Sequence, residues 1–102
     1  MKQIIAGKIY NTATAEKIVD WDNGHYPNDF HFLSETLYIT IKGQFFLHCR
    51  GGAATHCAQR IGNGWTGGAH LKKLSRTEAI DWCESRHIYV DLVNSFFELE
   101  EA

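Results

Sequence analysis

Two His-Cys doublets, His48-Cys49 and His56-Cys57, flank a glycine pair in the stretch HCRGGAATHC. Thiolate and imidazole are ligands for a soft divalent cation, and a cysteine beside a histidine is also the pairing that yields an activated nucleophile. Which of these chemistries is open depends on how the backbone presents the side chains. The run before Gly51 reads as a strand, whose neighbouring residues face opposite ways, so His48 and Cys49 diverge and Cys49 joins Phe45 and Leu47 in a core. The second doublet lies in AATHCAQR, whose alanines favour a short helix that sets His56 and Cys57 about 100° apart around its axis. His25, His31, His70 and His87 are further ligands in principle, but the close Cys-Cys and His-His spacings of structural zinc sites are absent. A nucleophile built on Cys57 has no local signature and no third orienting residue. The expectation is buried thiols and partly exposed imidazoles, with no catalytic residue, metal ligand or cofactor site.

GNGWTG, residues 62 to 67, matches the dinucleotide fingerprint G-x-G-x-x-G only in letters. That fingerprint needs a buried strand before it and a long helix after it, and AQRI and GAHLKKLS supply neither. The glycines read as a surface loop. Trp65 within it either folds back over the core or stands out as a binding anchor, a role in which tryptophan is enriched.

The elements that must position these residues fall into two regimes. Residues 3 to 10 and 17 to 21 are short β-branched or aromatic runs, separated by NTATAE and closed by the turn formers of DNGHYPND, and they read as two strands. TLYITIKGQFFLHCR reads as a hairpin turning at Lys42-Gly43, which pairs Ile39 with Phe46, Leu37 with His48, Tyr38 with Leu47 and Thr36 with Cys49. Ser75-Arg76-Thr77-Glu78 is a capping box, followed by Ala79, Ile80, Trp82 and Cys83 on one helical face and Glu78, Asp81 and Glu84 on the other. After a break near Arg86-His87, residues 88 to 97 place Tyr89, Leu92, Val93, Phe96 and Phe97 at helical spacing. Both apolar stripes read as core. Glu98, Glu100 and Glu101 follow as an acidic tail.

The 102 residues suit one domain with one hydrophobic core, and no apolar run approaches the roughly 18 residues that span a membrane. The start, MKQIIAGKIYNT, lacks the apolar region of a secretory signal, so a cytoplasmic location and three reduced cysteines are expected. A net charge of -2 gives no general attraction to phosphate backbones. Direct nucleic-acid binding would have to rest on Arg50, Arg60, Lys72, Lys73 and Arg76 with Trp65 stacking on bases, and those cations are offset by acids.

GKIYNTATAE, ETLYITIKGQFFLH followed by GG, GNGWTGG and LSRTEAIDW together resemble a set of small accessory proteins of plasmids, integrative elements and phages of Gram-positive gut bacteria. The resemblance covers nearly the whole chain, and its motifs are structural, so it implies no catalytic residue. It implies a counter-defence factor such as an anti-CRISPR protein, which occupies a surface of a host nuclease complex. Cys49, His56 and Cys57 stand outside the residues that carry it, so it implies no shared role for the His-Cys doublets.

The sequence thus predicts a single α+β domain over residues 1 to 102: an antiparallel sheet of about four strands, a glycine-rich loop and two C-terminal helices packed on one face. The expected function is non-enzymatic inhibition of a host protein or ribonucleoprotein nuclease, with no membrane partner. Trp65 would anchor the contact, and Asp81, Glu84, Glu98, Glu100 and Glu101 would face arginine and lysine side chains that otherwise hold nucleic acid. The alternatives are a small Cys/His-dependent enzyme or zinc-binding protein, and a nucleic-acid-binding module.

Overall fold

A computed structural model describes all residues from Met1 to Ala102. In chain order the elements are β1 (Lys2–Ile5), β2 (Lys8–Asn11), β3 (Glu16–Asp22), β4 (Leu33–Ile39), β5 (Phe45–Gly51), β6 (Gln59–Ile61), β7 (Gly64–Thr66), β8 (Gly68–Leu74), α1 (Arg76–Ser85) and α2 (Val90–Phe97). Four of the strands form an antiparallel sheet in the order β3-β4-β5-β8, and β1-β2 and β6-β7 are separate hairpins. The architecture is α+β, as the change of period along the chain predicts. No helix is long and apolar enough to cross a membrane.

The sheet has two apolar faces because strand residues alternate and both faces are covered. On one face Leu37, Phe45, Leu47 and Leu74 pack with Ala79, Trp82 and Cys83 of α1 and Val93 and Phe97 of α2. On the other, Tyr10 of the β1-β2 hairpin and Leu71 enclose Phe46, with the Tyr10 and Phe46 rings edge to face at 5.4 Å. Gln3 fixes that hairpin by exchanging two hydrogen bonds with the Leu71 backbone, at 2.9 and 3.0 Å. The run from residue 3 to 10 is therefore a hairpin rather than one strand, turning at Ala6 and Gly7, both with positive φ as a type I′ turn requires.

The central hairpin departs from expectation by one residue. Ile39 pairs with Phe45, Tyr38 with Phe46, Leu37 with Leu47, Thr36 with His48 and Glu35 with Cys49. The loop holds three residues, Ile41 to Gly43, because Thr40 closes it with its backbone N–H to the Gln44 carbonyl at 2.8 Å. Gly43 takes the left-handed position at φ +84°, the third residue of a type I turn with its bulge, which tolerates Lys42 where a two-residue turn would not. The shift puts Leu37 and Leu47 on the same face and brings Glu35 alongside Cys49.

The capping box at Ser75 and Glu78 is present in both directions. Hydrogen bonding from the Ser75 backbone and side chain holds the Glu78 carboxyl below its ordinary value of 4.5. In α2 the stripe is narrower than the spacing predicts: Val93 and Phe97 are buried, Phe96 is half-buried, and Tyr89 and Leu92 are exposed. The helix starts only at Val90, so Tyr89 is its cap and points outside the packed face.

The expected helix at residues 53 to 60 does not form. Residues 53 to 57 are turns and a bend that stitch to the segment before β4. Gly52 donates its N–H to the Phe32 carbonyl at 2.8 Å and Ala54 to the Phe30 carbonyl at 2.9 Å, capturing backbone donors that a helix would have used internally. A Cβ on Gly52 would strike the Asp29 and Phe30 carbonyls, which is why glycine stands there. The glycine-rich stretch is also more ordered than a loop, since it carries the β6-β7 hairpin.

A sulfur-imidazole cluster and an aromatic cleft

Alternation along β5 sends His48 to the face opposite Cys49, as expected. Burial pushes the His48 imidazole below its ordinary value of 6.5, aided by the positive charges of the N-terminus and Arg50 and by His70. The second doublet behaves otherwise. With no helix at 53 to 58, the turn brings both His56 and Cys57 back to Cys49. Cys49 and Cys57 are paired as a disulfide with Cα atoms 6.0 Å apart, leaving the buried Cys83 as the free cysteine. The expectation of three reduced thiols is corrected here, because the loop between the pair closes across the end of β5. The His56 Nδ1 lies 3.8 Å from each sulfur. Cys49, His56 and Cys57 thus form one group whose ligand atoms all lie within 4.8 Å of one another. On β8, His70 is the register partner of Cys49.

The group rests on a buried carboxylate that sequence reading overlooked. Glu35, opposite Cys49 on β4, has a side chain only 3% exposed. Its Oε1 accepts from Trp82 Nε1 at 3.2 Å and from Arg86 Nε at 3.0 Å and Nη2 at 2.5 Å. Its Oε2 lies 3.5 Å from Nε2 of His56. The Arg86 guanidinium is stacked over Trp21 at 4.0 Å, so β3, β4 and α1 are tied at one charged node. A buried charge needs such pairing to avoid a large desolvation cost. Only the acid in the middle of an otherwise strand-like LSETLYI marks this residue in the sequence.

At the nearby end of the sheet is an open cleft of about 600 Å³, lined by Phe30, Phe32, Arg50, Ala53, Trp65 and Ala69 among others. Trp65, on β7, is 63% exposed rather than folded over the core, and Phe30 is 71% exposed. Arg50 lies over the Phe32 ring at 5.3 Å, which spreads positive charge over an aromatic wall. Phe30 and Phe32 join Trp65 because the segment before β4 folds against Gly51 and Gly52, a contact that local sequence does not announce.

The acidic residues expected to act with Trp65 are exposed, but they lie elsewhere. Asp81 borders a groove with Glu35, His56 and Glu78. Glu84 borders the groove between α1 and α2, with Ile80, His87 and Leu99. Glu98 caps α2 in the left-handed conformation, and Glu100 and Glu101 follow it. Trp65 shares its cleft with Asp29 and none of these acids. Among the cations, Arg50 is engaged with Phe32, Arg60 donates to the Gly62 carbonyl and Arg76 to the Phe97 carbonyl. Compared with known proteins, the chain matches no family model, no curated protein and no solved structure.

Proposed function

We propose that this chain is a non-enzymatic protein-binding inhibitor that blocks a bacterial defence nuclease of the RNA-guided class. The observation that carries the reading is the exposed pair Trp65 and Phe30 on the rim of a cleft at the end of a rigid sheet. Aromatic side chains held in this way bury a large area on contact at little entropic cost, which is why they dominate interaction hot spots. The accessory-protein resemblance of GKIYNTATAE, ETLYITIKGQFFLH, GNGWTGG and LSRTEAIDW supplies the partner class. Asp81, Glu84, Glu98, Glu100 and Glu101 add a second, charged contribution, facing cations that otherwise grip nucleic acid. The net charge of -2, with twelve acids against ten lysines and arginines, favours this reading over direct nucleic-acid binding. The inhibitor acts by steric and electrostatic occlusion, and because the acidic residues supply the electrostatic part, its affinity should fall as salt rises.

The test mixes the chain with purified RNA-guided nucleases of Gram-positive gut bacteria, each loaded with guide, and measures co-elution on a sizing column. A stable complex that Trp65→Ala weakens at least tenfold is expected. Absence of a complex across that panel at low salt overturns the proposal.

A further inference from the structure

We infer that the chain, once its Cys49–Cys57 disulfide is reduced, binds one zinc ion through the two thiolates and Nδ1 of His56, with Glu35 orienting the imidazole. Three features point to a metal rather than to an isolated disulfide. First, the ligand types and distances fit. A tetrahedral zinc with Zn–S of about 2.3 Å and Zn–N of about 2.0–2.1 Å sets sulfur and nitrogen roughly 3.6 Å apart. His56 Nδ1 already stands 3.8 Å from both sulfurs. Only the sulfur pair must open, to roughly 3.8 Å in the same tetrahedron. Cys57 is placed by a turn, anchored through its N–H to Thr55 Oγ1, rather than by a helix or strand that would resist the shift.

Second, the imidazole is already turned for ligation. Glu35 Oε2 faces Nε2 of His56 at 3.5 Å, while Oε1 takes the hydrogen bonds from Trp82 and Arg86. A carboxylate at Nε2 holds the proton there and leaves the Nδ1 lone pair directed at the sulfurs, the arrangement by which metal-bound histidines are oriented. Third, the site is sheltered but reachable: both cysteines are buried, and the His56 side chain is 55% exposed. The fourth position is left to water on the His56 side.

The chemistry balances in two steps. A dithiol reductant is oxidised to its own disulfide and delivers two electrons and two protons to the S–S bond, giving two thiols. A zinc ion then replaces the two thiol protons, which pass to solvent, and Nδ1 donates its lone pair. The site and the disulfide are alternative states of one sulfur pair, so oxidation expels the ion. This inference is independent of the partner proposed above.

The experiment reduces the full chain with dithiothreitol, removes reductant anaerobically in chelator-free buffer and titrates with cobalt(II), then zinc. Expected are one cobalt per chain with sulfur-to-cobalt charge-transfer absorption, bleaching by one equivalent of zinc, and the oxidised chain binding neither. Cys57→Ser should abolish the pattern of two bound thiolates, and His56→Gln, at a half-exposed position that leaves folding intact, should weaken zinc binding. Glu35→Gln should retain the absorption and lower zinc affinity about 10–100-fold. Lack of sulfur-to-cobalt absorption in the reduced wild-type chain overturns the inference, as does unchanged affinity in His56→Gln.

Discussion

Replacing Glu35 by alanine should be among the most damaging single changes in this chain, and its cost can be worked from the contacts. The carboxylate is 3% exposed and takes three hydrogen bonds at Oε1 from Trp82 and Arg86. Losing it strands the buried Trp82 N–H, at about 1–3 kcal/mol for an unsatisfied donor. Breaking a fully buried ion pair costs about 3–5 kcal/mol. Arg86 is 26% exposed and keeps its stack on Trp21, so part of that charge is rehydrated and the lower end applies. The expected loss is about 3 kcal/mol, a large share of the ~5–15 kcal/mol that stabilises a typical domain. In a domain of this size it corresponds to a fall in Tm of roughly 12–24 °C. Urea denaturation of the oxidised, chelator-treated chain gives the value without any contribution from metal. A double-mutant cycle with Arg86→Met should show coupling above about 1 kcal/mol, and Glu35→Leu with Arg86→Met should recover much of the loss, because an apolar replacement leaves no unpaired charge. A Glu35→Ala loss below about 1 kcal/mol, or simple additivity with Arg86→Met, would refute the reasoning.

Trp65→Ala should change stability by less than about 0.5 kcal/mol, because the side chain is mostly in solvent; a larger loss in chemical denaturation would mean that Trp65 supports the fold. Burial raises the Cys83 thiol above its ordinary value of 9.0, so labelling by iodoacetamide near neutral pH should be slow in the native chain and rapid only in denaturant. Glu78 has the opposite shift: its folded-state carboxyl lies below 4.5, so the capping contribution is complete above that value and is lost as pH falls through the lower folded one. The Ser75 amide resonance should titrate with Glu78, and Glu78→Gln should abolish that titration; a Ser75 shift that survives the substitution contradicts the assignment.

What the sequence makes legible is what short-range physics decides. The capping box needs only Ser75 and Glu78, and the α+β class follows from a change of hydrophobic period. The hairpin around Gly43 is visible too, but its register depends on whether the left-handed glycine ends a two-residue or a three-residue loop. That single residue decides whether Leu37 meets Leu47 or His48. The Glu35 node depends on Trp82 and Arg86, separated from it by 47 and 51 residues, and no local pattern encodes such a pairing. The cluster of Cys49, His56 and Cys57 is hidden for a related reason. Alanines around His56 favour a helix, but Gly52 and Ala54 give their N–H groups to Phe32 and Phe30, and the turn that results reunites side chains that a helix would have separated. The same stitching places Phe30 beside Trp65, and it leaves the acidic residues of α1 and the tail away from that cleft.

Recognition rather than reaction is the central claim, and nuclease cleavage measured against increasing amounts of the chain tests it most directly. Guide-loaded nuclease and target DNA are held fixed while the wild-type chain and Trp65→Ala are titrated. The account predicts that cleavage by at least one RNA-guided nuclease stops near one chain per nuclease and resumes in the variant or at high salt. Cleavage that continues unchanged at large excess for every nuclease assayed would contradict it.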